Sequence, residues 1–100
     1  NAPPVAKYTL TLRAQQDLRE IWLDIAEDNE RAADRLLNRL LDKFELVAEH
    51  PEMGTARPAL SPIARILIEG SYVVMYEPTS DGVEIMGVVY GTRDPSSWLD

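Results

Sequence analysis

The chain has 100 residues, of which 45% are hydrophobic and 27% are charged, and its formal net charge is −7. This size predicts a single domain over residues 1–100, and this composition argues against disorder. The chain contains no cysteine, which excludes disulfides and thiolate metal sites and fits a cytoplasmic protein. No apolar run reaches the ~20 residues of a membrane span. The acidic balance disfavours direct binding to nucleic acid and suits a basic protein partner.

The N-terminal part of the chain is predicted to be an arm followed by a strand. Residues 1–7 contain two prolines and are predicted to form a loose arm. Apolar and polar residues then alternate from Tyr8 to Leu12. This alternation predicts a half-buried strand with Tyr8, Leu10 and Leu12 on its core face.

Two amphipathic helices are predicted next. From Ala14 to about Asp28 the apolar residues follow a helical period, with acidic residues on the opposite face. Asn29 is a favourable N-cap for a second helix, which ends at Glu49-His50 because Pro51 cannot continue it. The short break between the helices predicts an antiparallel hairpin. The apolar positions are Leu18, Ile21, Trp22 and Ile25 in the first helix, and Ala33, Leu36, Leu37, Leu40, Leu41, Phe44 and Val47 in the second.

The C-terminal half is predicted to form a long loop and three strands. The loop covers residues 51–63, and the strands cover Arg65–Glu69, Tyr72–Glu77 and Val83–Gly91. Gly70-Ser71 suits a tight hairpin turn, and Gly87 marks a bulge. A final helical turn is expected to dock Trp98. The chain is thus predicted to be an α+β protein of order β-α-α-β-β-β(-α), a helical hairpin packed on a mostly antiparallel sheet.

The predicted strands are apolar on both faces. Val73 and Met75 oppose Tyr72, Val74 and Tyr76 in the middle strand. In the last strand, one face is predicted to hold Val83, Ile85 and Val89, and the other Met86, Val88 and Tyr90. A helical hairpin covers only one face of a sheet, so the other face requires the chain ends or a second protein. We favour a protein partner.

Catalytic signatures are absent from the sequence. The single histidine, His50, precedes Pro51 at a helix end, where a structural role is expected. No metal site and no cofactor are predicted. The candidate partner-binding residues are cationic or aromatic, because an arginine can hold a partner carboxylate in a bidentate fork. They are Arg65, Tyr72, Tyr76, Tyr90, Arg93 and Trp98.

Several short segments between Tyr8 and Leu99 stand in an order that matches a known family. Together they resemble the ParE branch of the ParE/RelE toxin superfamily, the toxins of bacterial type II toxin–antitoxin systems, which include plasmid stabilisation proteins. Two departures are Tyr90, where many relatives have histidine, and Glu30, where many have proline. The matching segments are Arg13-Ala14, Asp17-Leu18, Glu20-Ile21-Trp22, Ile25-Ala26-Glu27-Asp28-Asn29, Ala32-Ala33, Leu36-Leu37, Glu49-His50-Pro51-Glu52-Met53-Gly54, Arg65, Tyr72-Val73-Val74-Met75-Tyr76 and Gly91-Thr92-Arg93-Asp94.

The resemblance implies that the chain is a toxin that poisons DNA gyrase by protein contact. It also implies that a ParD-like antitoxin wraps the toxin and neutralises it. Two alternatives stay open: a RelE-like ribosome-dependent mRNA endonuclease, and a degenerate toxin that serves only in antitoxin binding and operon control. The endonuclease would use Arg57, Arg65, Arg93 and Tyr90 as phosphate clamp and acid–base groups. Residues 51–100 contain three arginines, no lysine and seven acidic residues. Because a metal-free ribonuclease needs cations around its phosphate, this balance favours gyrase and a non-enzymatic toxin.

Overall fold

The computed structural model describes residues 7–91 of the chain. The predicted N-terminal arm, apart from Lys7, and the predicted turn at Trp98 lie outside this range. The helices are α1 (Leu12–Ala26) and α2 (Glu30–Glu49), and the strands are β1 (Lys7–Leu10), β2 (Thr55–Ala56), β3 (Arg65–Glu69), β4 (Tyr72–Pro78) and β5 (Gly82–Tyr90). Within residues 7–91, neither helix combines the length and the apolar character that crossing a membrane requires.

The five strands form one sheet in the order β1-β5-β4-β3-β2. β1 pairs with β5 in parallel, and the other neighbours are antiparallel. The predicted fold class, a helical hairpin on a mostly antiparallel sheet, is therefore confirmed. Strand β2 was not predicted, because its two residues show no alternation and only their pairing with β3 defines them. Gly82 allows the β1–β5 contact, since a Cβ there would overlap the Lys7 carbonyl.

The first helix begins earlier than the sequence pattern predicts. Thr11 is its N-cap, and its Oγ1 accepts a hydrogen bond from the Ala14 amide at 3.1 Å. The strand therefore ends at Leu10. Leu12 belongs to the first turn of the helix and is 70% exposed, so its predicted place on the core face is wrong. The predicted N-cap of α2 is confirmed, because Asn29 Oδ1 accepts from the Ala32 amide at 3.1 Å.

At a bulge in β5, hydrogen bonds link the main chain of the sheet to the first part of α1 and its N-cap. Met75 pairs with Gly87 but Tyr76 pairs with Ile85, so Met86 is the extra residue and the irregularity predicted at Gly87 lies beside it. Thr11 Oγ1 donates to the Met86 carbonyl at 3.0 Å. The Val88 amide donates to Asp17 Oδ2, also at 3.0 Å. The N-cap of α1 and one side chain of its second turn therefore satisfy main-chain groups of the bulged segment.

The bulge also changes which residues of β5 face the helices. Val88 packs in the core with Val83 and Ile85, whereas Val89 packs on the other face near Met86. The predicted faces of Val88 and Val89 were therefore reversed, because one inserted residue shifts a period of two by one position. The predicted division of β4 is confirmed, since Val73 and Met75 lie opposite Val74 and Tyr76.

The main core lies between the helical hairpin and one face of the sheet. Tyr8 meets Phe44 edge-to-face there, with ring centroids 5.5 Å apart. Trp22 is an exception to the predicted core face of α1, because Ile21 and Ile25 pack against this core whereas Trp22 does not. The Trp22 Nε1 instead donates to Asp34 Oδ1 at 2.8 Å. The largest side chains that are completely buried are Tyr76, Phe44, Leu40, Ile85, Val47, Val74 and Val83.

The second face of the sheet carries a smaller apolar cluster. Ile66, Val73 and Met75 are buried there, and Leu60 from the loop between α2 and β3 packs against them. Ile68 on β3 is 65% exposed. This loop therefore covers part of the second face of the sheet, which the sequence pattern did not predict.

Candidate functional site

Arg65 and Tyr76, two of the predicted binding residues, hold the loop after α2. The Tyr76 hydroxyl donates to the Pro51 carbonyl at 2.7 Å and accepts from the Gly54 amide at 2.8 Å. Arg65 Nη1 donates to the carbonyls of Glu52 and Gly54 at 3.1 and 2.6 Å. The sequence segment His50-Pro51-Glu52-Met53-Gly54 is therefore folded around these two side chains.

Tyr76 is 0% exposed and offers no surface to a partner. The structure thus places it in the core and gives it a structural role, in contrast to its prediction as a binding residue. Burial raises the pKa of its hydroxyl, while the Gly54 hydrogen bond and the Arg65 charge oppose that rise. The hydroxyl therefore stays protonated near neutral pH, as its bond to the Pro51 carbonyl requires.

A cleft of about 740 Å³ opens beside this loop. Its lining includes Met53 and Ile63, which are 45% and 55% exposed, together with Arg65 and His50. His50 ends α2 through its main-chain N–H, which donates to the carbonyls of Leu46 and Val47. Its predicted structural role is thus carried by the backbone. Within residues 7–91 there is no group of three or more His, Asp or Glu side chains that could hold a metal ion.

Tyr72 and Tyr90 meet at the other end of β4. Their ring centroids are 5.3 Å apart in an edge-to-face arrangement with an interplanar angle of 64°. Tyr72 is partly buried, and Tyr90 is 66% exposed. Burial, Tyr90 and the Asp24 carboxylate, in that order, raise the pKa of Tyr72. Both rings line a groove of about 440 Å³, called here the Tyr90 groove, with Ile25, Ala32, Arg35, Leu36, Arg39, Gly70 and Ser71.

The four predicted binding residues that the structure describes therefore do not form one site. Arg65 pairs with Tyr76 across β3 and β4, whereas Tyr90 pairs with Tyr72 across β5 and β4. Arg93 and Trp98 lie outside the described residues. The sequence interpretation also missed Arg35 and Arg39, which lie beside Tyr90 although they come from α2. Their spacing of four residues on one helix was the available signal.

Comparisons with known proteins agree with this fold. Residues 8–95 match the family model described as the ParE toxin of the type II toxin–antitoxin system parDE. Toxin ParE1 of Caulobacter vibrioides is 35% identical over 95 residues, which cover 92% of this chain and 96% of that protein. Toxin ParE1 of Mycobacterium tuberculosis is 29% identical over 92 residues, which cover 89% of this chain and 93% of that protein.

A solved structure supports the same conclusion at the level of the fold. A chain of the chromosomal ParDE TA system from P. aeruginosa superposes with a TM-score of 0.72 at 15% identity, covering 88% of this chain and 98% of that one. The resemblance on which the sequence interpretation relied is confirmed. The chain belongs to the ParE toxin family of type II toxin–antitoxin systems.

Proposed function

We propose that this toxin poisons DNA gyrase through protein–protein contact in the cytoplasm, without catalysis, and that a ParD-like antitoxin neutralises it. The proposal that the toxin acts without catalysis rests on the separation of the candidate nuclease groups. Arg65 lies opposite Tyr76 and Tyr90 lies opposite Tyr72. Four residues of strand separate the two positions by about 13 Å. Arg65 and Tyr90 therefore do not converge on one scissile phosphate.

Two of the three arginines of the candidate phosphate clamp, Arg57 and Arg65, donate to main-chain carbonyls. Arg57 Nη1 donates to the Ala56 carbonyl at 3.1 Å, and Arg65 Nη1 is held by two loop carbonyls. A ribonuclease without a metal needs free cations around the phosphate. The bonds of Arg65 to two loop carbonyls therefore count against a role for this residue in such a clamp.

A supercoiling assay tests the target. Purified toxin is added to gyrase and relaxed plasmid, and we expect loss of supercoiling with accumulation of a cleaved DNA complex. A parallel in vitro translation reaction at the same toxin concentration serves as the control, with intact mRNA expected. Normal supercoiling in the presence of folded toxin contradicts the gyrase proposal, and mRNA cut at the ribosomal A site supports the endonuclease alternative instead.

The antitoxin proposal is supported by family membership and by the exposed Ile68 on the second face of the sheet. Co-expression with the protein encoded beside the toxin gene is expected to restore growth and to yield a complex on purification. Ile68→Glu places a charge on the second face, and Leu12→Glu makes the same change at an equally exposed position on α1. We expect only Ile68→Glu to weaken the complex, by about tenfold. Equal affinities would show that this face is not covered by the antitoxin.

A further inference from the structure

A row of cations runs along one side of α2. Arg31, Arg35, Arg39 and Lys43 are spaced four residues apart, so they lie on successive turns. They are four of the ten Lys and Arg residues in a chain of net charge −7. The molecule is therefore acidic overall but has a local basic surface on this side of α2.

This basic row borders the Tyr90 groove. Arg35 and Arg39 line the groove together with Tyr72 and Tyr90, and Ile25 and Leu36 add apolar surface. Tyr90 is among the most exposed large apolar side chains in the described part of the chain. The groove thus joins guanidinium groups to an aromatic pair, which are the side chains enriched where proteins bind other proteins.

Only part of the row is neutralised within residues 7–91. Glu69 lies 4.0 Å from Arg39 Nε and 3.6 Å from Lys43 Nζ. Arg31 and Arg35 have no ion pair with any described residue. Among the described residues, the Arg35 guanidinium therefore has no carboxylate partner, and a guanidinium binds a carboxylate with two parallel hydrogen bonds.

We propose that the Tyr90 groove binds an acidic segment of the antitoxin, with carboxylates on Arg35 and Arg39 and an aromatic or aliphatic side chain against Tyr72 and Tyr90. This inference rests on the proposed function, because it names the chemistry of the neutralising partner. A peptide fits better than a nucleic acid, because Glu69 and Asp24 are close to the groove and repel a continuous phosphate chain more than a segment whose carboxylates are spaced apart by apolar residues. Charge complementarity also speeds association, which suits a partner that must capture the toxin before the target does.

The test uses the full-length toxin and a fluorescein-labelled peptide of about twelve residues, long enough for about three helical turns. The peptide alternates pairs of glutamates with phenylalanine, and its matched analogue carries glutamine in place of glutamate. We expect the glutamate peptide to bind at least about tenfold more tightly at about 50 mM salt, and the difference to shrink at about 500 mM. Binding is measured by fluorescence anisotropy.

Two toxin variants and a matched control locate the site. Arg35→Glu is expected to weaken binding of the glutamate peptide by about tenfold or more, and Tyr90→Ala by about fivefold. Arg19→Glu makes the same charge change on α1 and is expected to alter binding less than about twofold. Circular dichroism and urea titration verify that each variant is folded. Equal binding of the two peptides, or equal losses in Arg35→Glu and Arg19→Glu, overturns the proposal.

Further measurements separate the antitoxin from other occupants. Arg35→Glu is expected to inhibit gyrase as the wild type does; loss of inhibition in the folded variant assigns the groove to the target and overturns the proposal. Stronger binding of a DNA duplex than of the peptide, or a dimer that Arg35→Glu dissociates in sedimentation, overturns it in favour of nucleic acid or a second copy. If the wild type does not inhibit gyrase, the target proposal fails while the peptide measurements still decide the groove.

Discussion

Tyr76→Phe is the substitution whose effect follows most directly from the structure. It removes one oxygen atom from a side chain that is otherwise fully buried. That oxygen accepts from the Gly54 amide and donates to the Pro51 carbonyl. Gly54 is itself buried, so its amide has no access to water after the change. The Pro51 carbonyl is partly exposed and regains some hydration.

The expected loss of stability is about 2–3 kcal/mol. An unsatisfied buried donor costs about 1–3 kcal/mol, and the second hydrogen bond contributes about 1 kcal/mol or less after rehydration. For a domain of this size the loss lowers the melting temperature by about 8–24 °C. The ring itself is retained, so no cavity contributes to the change.

Urea unfolding of the wild type and the variant measures this loss, with unchanged m-values as the sign that only stability has changed. Tyr90→Phe is the matched control, because it removes the same oxygen from an exposed ring, and we expect its stability to stay within about 0.5 kcal/mol of the wild type. Hydrogen exchange adds a local readout, since the Gly54 amide loses its acceptor. A Tyr76→Phe variant within about 0.5 kcal/mol of the wild type, with unchanged protection at Gly54, would refute the reasoning.

Three further predictions follow from the same contacts. Asp17→Ala is expected to lower the free energy of unfolding by about 1–2 kcal/mol in a urea titration, because the Val88 amide loses its acceptor. The control Glu20→Ala, on the exposed side of α1, should stay within about 0.5 kcal/mol of the wild type, and similar losses in the two variants would contradict the role of Asp17. Gly54→Ala places a Cβ 2.6 Å from both the Ile66 carbonyl oxygen and the Tyr76 hydroxyl. We expect the free energy of unfolding to fall by about 2 kcal/mol or more, measured as a lower melting temperature. An unchanged melting temperature would show that the loop shifts freely. Because burial raises the pKa of Tyr76, its native form holds the proton more tightly than the unfolded form, so stability is retained below about pH 10 and falls as the pH rises above it. Above about pH 10, the urea midpoint of Tyr76→Phe is expected to fall less steeply with pH than that of the wild type. Parallel pH curves for the two proteins would contradict the raised pKa of Tyr76.

The elements with a strong periodic pattern could be predicted from the sequence. The second helix carries apolar residues from Ala33 to Val47 at helical spacing, and both its Asn29 cap and its end at Glu49 are as predicted. The hairpin between β3 and β4 was indicated by Gly70, which has a φ of 59° that favours glycine. These features depend on residues close together in the chain, so local spacing is sufficient to identify them.

The candidate site was less predictable because its residues come from distant segments. The Tyr90 groove joins Ile25, Arg35, Tyr72 and Tyr90, which are brought together only by packing of the helices on the sheet. Composition indicated an acidic molecule and gave no reason to expect a basic surface on α2. A charge summed over the chain contains no information about which side chains share a face.

The sequence by itself determined the family, the helical hairpin, four of the five strands and a sheet that is apolar on both faces. Only the tertiary structure decided the contacts at the ends and irregularities of those elements. Thr11 caps α1 and exposes Leu12, the extra residue Met86 exchanges the faces of Val88 and Val89, and Tyr76 is enclosed by a loop. The physical reason is that periodicity records which side chains are buried, whereas register, capping and the partners of buried polar atoms depend on groups far apart in the chain.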